Sequence, residues 1–156
     1  MGRFFEVADK WKKVDIELPK RSTKKSAGYD FYTAEDVSIV PIWRSVIHNL
    51  TIKPQKVHTG IKVSMEDDEV LLVYNRSSNP IKRLLNLANG VGVIDADYYD
   101  TGEDISFDFW NFGLFPQHID KGTKIGQGVF QKFLKVDAEK PVLTKRTGGN
   151  GSTDVE

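Results

Sequence analysis

The chain has 156 residues, long enough for one domain with a core of its own, and its 39% hydrophobic and 28% charged residues are the balance of a globular protein. Lys plus Arg and Asp plus Glu each number 22, so the formal net charge is zero. That balance excludes a general electrostatic pull toward nucleic acid or an anionic membrane, and any phosphate-binding site has to be local. The absence of cysteine excludes disulfides, Cys-ligated zinc and a cysteine nucleophile.

The opening stretch MGRFFEVADKWKK lacks the apolar core of a signal peptide, and Glu6 stands where a myristoylation signal needs Ser or Thr. No apolar run approaches the ~20 residues of a membrane span, so a cytoplasmic chain with no membrane contact is expected. Residues 14–18 (VDIEL) alternate apolar and polar and predict a strand. KRSTKK (20–25) reads as a solvated turn, and SAGYDFYTAED then places Asp30 directly after a Gly turn. Alternation returns at 37–42 and 60–65, with an exposed turn at EDD (66–68), and Glu69–Asn75 reads as a half-buried strand.

At NRSSNPIKRLLNLA the period changes. Ser78 or Asn79 is a cap candidate, Pro80 suits the first helical position, and Ile81, Leu84 and Leu85 share a helical face. One short helix near 79–86 is predicted. Helix starts favour anions, so Arg76, Ser77 and Ser78 form a phosphate cradle on this reading. NGVGVIDADYYD follows, an unusual run in which Gly and Val lead to Asp95, Asp97 and two tyrosines. Residues 105–112 (ISFDFWNF) alternate again, and 126–133 (GQGVFQKF) set Gln127 between two glycines that permit close backbone approach. The last twelve residues, KRTGGNGSTDVE, hold three glycines and Val155 as their one apolar residue. They predict a flexible tail over 145–156 beyond a β domain over 1–144; its glycine N–H groups and Arg146 suit phosphate oxygens. Many short strands separated by turns predict an all-β sandwich or barrel. His48, His58 and His118 have no metal-ligand spacing.

Taken in order, SAGYDFY, NRSS, NGVGVIDADYY, GTKIGQGVF and RTGGNGST resemble the five motifs of the homotrimeric dUTPase family, spanning residues 26–153. The lead-in LPKRSTKKSAGYD has the same look, and length and lack of cysteine suggest a bacterial or phage type. The resemblance implies an all-β, jelly-roll-like barrel that hydrolyses dUTP to dUMP and pyrophosphate with Mg2+ on the triphosphate. It implies that Asp95 orients the attacking water at the α-phosphate. Its contribution is positioning, because an aspartate is a weak base at neutral pH. It further implies that the hairpin residues Asn89, Gly92, Val93 and Ile94 would receive uracil, and that Tyr98 would pack under the deoxyribose and leave no room for a 2′-hydroxyl. On the same resemblance Asp30 would lie near the metal and its waters, Arg76, Ser77 and Ser78 would hold phosphates, and Gln127 would sit near the α-phosphate and the water. Arg146 would clamp the γ-phosphate, with Gly149, Ser152 and Thr153 added when the tail closes. Each site is expected to draw on three chains, with no direct nucleic-acid partner.

Two departures stand out. The tail has Asn150 where the family has a phenylalanine that stacks on uracil, and Asp154 replaces its last glycine. The segment after Tyr98 is longer and rich in aromatics, so one of Phe107, Phe109, Trp110, Phe112 or Tyr99 is the expected substitute cover for the base. Two alternatives stay open: a phage-type dUTPase that also binds a regulatory protein, and a dCTP deaminase of the same fold. The deaminase is disfavoured because GVIDADYY lacks the glutamate that enzyme uses.

Overall fold

The computed structural model describes residues 2–47, 52–144, 146 and 148, except the side chain of Ser45. Among these residues twelve short strands form: β1 (Phe4–Val7), β2 (Lys20–Arg21), β3 (Tyr29–Tyr32), β4 (Val37–Ile39), β5 (Gln55–His58), β6 (Ile61–Ser64), β7 (Glu69–Asn75), β8 (Leu85–Leu87), β9 (Val91–Asp95), β10 (Ser106–Asn111), β11 (Gln117–Ile119) and β12 (Lys124–Lys132). They pair antiparallel in a five-stranded sheet of order β2-β3-β12-β7-β9, a three-stranded sheet β5-β10-β8, and two pairs, β1-β6 and β11-β4. The all-β expectation holds.

The core lies between the sheets. Phe31, Leu71 and Val73 from the large sheet meet Phe107, Phe109, Val57 and Leu85 from the smaller one, all buried. β10 shows how alternation does this: Phe107, Phe109 and Asn111 point inward while Ser106, Asp108 and Trp110 stay partly exposed. Gly126 and Gly128 on β12 make room for the rings. A Cβ at Gly126 would stand 2.0 Å from Phe107 Cε1, and one at Gly128 would stand 2.8 Å from Phe31 Cε2.

Three local expectations change. Residues 14–18 form no strand; Val14 and Ile16 pack on the Ala8–Trp11 cluster, and Leu18 is exposed. The helix near 79–86 shrinks to a five-residue π-type turn at Asn79–Arg83, and Ser78 makes no side-chain cap. The buried Asn79 amide donates to Asn75 Oδ1 (2.8 Å) and to the Ile125 carbonyl (2.7 Å), tying the turn to the sheet. Leu84 then adopts a left-handed φ of 54°, and Leu85 starts a strand paired with β10. Ile81 and Leu84 are exposed rather than aligned on a buried helical face. The one α-helix among the described residues, α1 (Ile42–Ile47), instead begins where residue 42 was read as the end of a strand.

Gly126→Ala is expected to lower unfolding free energy by about 1–3 kcal/mol, because the methyl group enters the space of the Phe107 ring. Urea denaturation measures this, and an unchanged midpoint contradicts the packing described.

Candidate active site

The residues singled out in the sequence gather into two groups. The first is built on one row across the large sheet. Asp30 on β3 pairs with Gln127 on β12, and Gln127 pairs with Tyr74 on β7. Cross-strand partners project to the same face, so these three side chains stand side by side. Gly28 supplies the space for Gln127, because a Cβ there would lie 2.7 Å from Gln127 Oε1. Arg76, just past the end of β7, brings Nε to 3.7 Å from Asp30 Oδ1 and donates from its terminal nitrogen to the Lys124 carbonyl at 3.3 Å. Ser77 and Ser78 follow at the entrance to the π-type turn.

Two partners of Asp30 were not foreseen. Lys124 Nζ lies 2.7 Å from Asp30 Oδ2, and Ser22 donates its hydroxyl to the same oxygen at 2.5 Å. Burial alone would raise the Asp30 carboxyl. Hydrogen bonds from Lys124 and Ser22, with the charges of Lys124 and Arg76, outweigh it and hold the group below the usual carboxylate range. The Lys124 contact depends on a bulge: Gly126 pairs with Phe31 but Lys124 pairs with Tyr32, so the register shifts between them. A regular strand would turn Lys124 to the opposite face from Gln127.

The second group lies on β9 and the turn after it. β9 is the edge of its sheet, and Val93 and Asp95 are exposed on one face while Gly92 and Ile94 point inward. The inward approach at Gly92 is close, since a Cβ would stand 2.4 Å from Val73 Cγ2. Asn89, Gly92, Val93 and Ile94 line a cavity of 280 Å³ with Ser106 and Asp108. None of Tyr99, Phe107, Phe109, Trp110 or Phe112 lines it. Phe107 and Phe109 are core, and the Tyr99 hydroxyl bonds Glu6 at 2.7 Å with Lys62 Nζ 4.4 Å from its ring centroid. Within one chain, then, the longer segment brings no ring to this cavity, while Trp110 remains partly exposed and Phe112 exposed.

Asp95 borders a different, acidic cavity of 250 Å³ with Asp67, Glu69 and Asp97. Arg146 covers it. Its terminal nitrogen lies 2.6 Å from Asp95 Oδ2, its Nε lies 2.9 Å from Asp97 Oδ1, and its guanidinium carbon stands 5.6 Å from the Tyr98 ring centroid. Tyr98 is buried in the short helical turn Ala96–Thr101 and donates to the Asp104 carbonyl at 3.2 Å. Burial, with Glu103 and Asp104 nearby, pushes its hydroxyl up to about 12, so it stays a neutral donor. Gly149, Asn150, Ser152, Thr153 and Asp154 lie outside the described residues.

The two groups do not meet within the chain. Asp95 pairs with Val70 near one end of β7, whereas Arg76 follows its other end, six residues on. At ~3.3 Å per residue that is about 20 Å, too far for both to act on one phosphorus.

The dUTPase family model matches residues 14–154. The chain belongs to the dUTPase family. A deoxyuridine 5′-triphosphate nucleotidohydrolase of Lactococcus lactis is 44% identical over 155 residues, covering 97% of each chain. The crystal structure of a dUTPase from Streptococcus mutans superposes with a TM-score of 0.73 at 35% identity, covering 88% of this chain and all of that one. A Staphylococcus bacteriophage 80alpha dUTPase, described as controlling transfer of virulence genes, shares the fold at TM-score 0.69 and 20% identity, over 92% of this chain and 97% of its own. As a dUTPase, the chain is a hydrolase that converts dUTP to dUMP.

Replacing Lys124 by Met is expected to cost about 1 kcal/mol at pH 7. Because the Asp30 carboxyl is held low in the folded state, its stabilisation is present above the unfolded pKa near 4 and fades as pH falls. The gap between wild type and variant should narrow on acidification below about pH 4. Urea titrations at pH 7 and pH 3 check it, and a constant gap contradicts the pairing.

Proposed function

We propose that dUTP hydrolysis takes place at sites shared between copies of the chain in a homotrimer, with Asp95 from one copy facing Asp30, Arg76 and Gln127 of another. The observation that carries this is the register of β7, which holds the two halves about 20 Å apart in any single chain.

In this arrangement uracil enters the cavity at Asn89 and Gly92, where the edge of β9 offers backbone donors and acceptors. A base with reversed donors and acceptors leaves buried groups unpaired, at ~1–3 kcal/mol each. Tyr98 packs against the sugar. Arg76, Ser77 and Ser78 take phosphate oxygens, Gln127 and Asp95 hold water in line with the α-phosphorus, and pyrophosphate leaves. Arg146 exchanges the carboxylates of Asp95 and Asp97 for the γ-phosphate as Gly149, Ser152 and Thr153 of the 145–156 tail close, which frees Asp95 when substrate is present. The tail closes on the β domain over 1–144.

Among the described residues no cluster of three or more His, Asp or Glu side chains could cage a metal. One carboxylate, Asp30, beside phosphate-binding cations fits Mg2+ held mainly by the triphosphate and reached through water. When bound, Mg2+ offsets charge on the phosphate oxygens. No helix of the described residues is long and apolar enough to cross a membrane. We place the enzyme in the cytoplasm, with dUTP rather than nucleic acid as its partner.

Two experiments test this. Asp95→Asn should lower dUTP turnover at least about 10³-fold while keeping nucleotide affinity within about tenfold. Asp95→Ala and Arg76→Ala, each inactive alone, should recover about a quarter of wild-type activity when co-expressed in equal amounts, because a quarter of shared sites then draw both intact residues. No recovery in mixed trimers contradicts a shared site.

A further inference from the structure

The segment between Tyr98 and β10 is the part of the chain that the reaction leaves unexplained. It is not a slack loop. Thr101 Oγ1 donates to the Tyr98 carbonyl at 2.7 Å and accepts from the Glu103 N–H at 3.1 Å, and Gly102 turns the chain with φ of 71°. The turn delivers Asp104, whose side chain is only 7% exposed. Asp104 Oδ2 accepts the backbone N–H groups of Thr59 (3.1 Å) and Gly60 (3.0 Å), and both carboxylate oxygens lie 3.1 Å from His58 Nδ1. The carbonyl of the same residue accepts the Tyr98 hydroxyl at 3.2 Å. Tyr98, His58, Asp104 and Ser106 share the wall of one cavity, and Ser106 also lines the cavity at Asn89.

One residue thus joins two things. Its side chain is fixed to the β5–β6 junction, and its main chain holds the tip of the tyrosine ring. We propose that Asp104 is a positioning residue for sugar selection: its anchored carboxylate fixes the carbonyl that tethers Tyr98, and so sets how closely the ring approaches the nucleotide sugar. The inference rests on the reading of Tyr98 as the ring beneath deoxyribose. A ring held in place excludes a 2′-hydroxyl, and a ring free to shift admits one.

The test compares kcat/KM for dUTP and UTP in purified full-length variants. Asp104→Ala removes the anchor and should lower the dUTP/UTP ratio about tenfold, chiefly by raising UTP turnover. Asp104→Asn keeps an oxygen for the Thr59 and Gly60 N–H groups and places an amide beside His58, so it should stay within about twofold of wild type. Tyr98→Phe cuts the same tether without touching Asp104 and should match Asp104→Ala. The double variant should show no further loss, because both act on one link. A merely structural Asp104 lowers the melting temperature with the ratio unchanged, and that outcome overturns the proposal. Should Asp104→Ala fail to fold, Tyr98→Phe decides, and an unchanged ratio in it is equally fatal. Tyr98→Leu separates the two layers. If Leu leaves the ratio intact, the reading of Tyr98 itself fails; if Leu lowers it and Asp104→Ala does not, only the role of Asp104 fails.

Discussion

The antiparallel register of one seven-residue strand governs the rest. β7 pairs with β9 along one edge and with β12 along the other, so it fixes where Asp95 and Gln127 stand relative to each other. Val70 faces Asp95, Tyr74 faces Gln127, and Arg76 lies just beyond the strand. A shift of one residue would turn Leu71 and Val73 out of the core, which makes this spacing costly to change. On the proposed reading dUTP hydrolysis gathers these groups around one phosphorus, and a neighbouring copy supplies the half that the register holds away.

Zero net charge is kept locally as well: the carboxylates around Asp95 are met by Arg3 and Arg146, and at the other end of β7 Asp30 is met by Lys124 and Arg76. Asp30 is held between two cations, ionised and oriented before any nucleotide arrives. Asp95 is met by Arg146 of its own chain, which also pairs with Asp97 and lies over the ring of Tyr98. On the proposed reading triphosphate competes for that arginine with a higher charge, which links nucleotide binding to release of Asp95.

Much of this was legible in the sequence because it rests on local rules. Alternation located β6 and β10, half-buried apolar runs located β7 and most of β12, and the glycines of GQGVF marked the close approach that Phe107 and Phe31 confirm. The motif order pointed to Asp30, Arg76, Asp95, Tyr98 and Gln127. What stayed hidden depends on tertiary pairing. The helix expected near 79–86 yields to Asn79 bonding across to Ile125 and to β8 joining β10. Lys124 was invisible as an Asp30 partner because period-two reasoning places it on the wrong face, and only the bulge before Gly126 reverses that. His58 and Asp104 stand 46 residues apart, and neither has a local signal. The aromatic run suggests a ring over the base; burial of Phe107 and Phe109 and the bond from Tyr99 to Glu6 take three of the five rings away from it and leave Trp110 and Phe112.

The central claim is that each catalytic centre takes Asp95 from one chain and Arg76 and Gln127 from another. The most direct measurement is a crystal structure with the non-hydrolysable α,β-imido analogue of dUTP and Mg2+. The account predicts the α-phosphorus beside the Asp95 carboxylate of one subunit, with its phosphate oxygens on Arg76 and Gln127 of a different subunit. An analogue bound by Asp95, Arg76 and Gln127 of the same chain would contradict it.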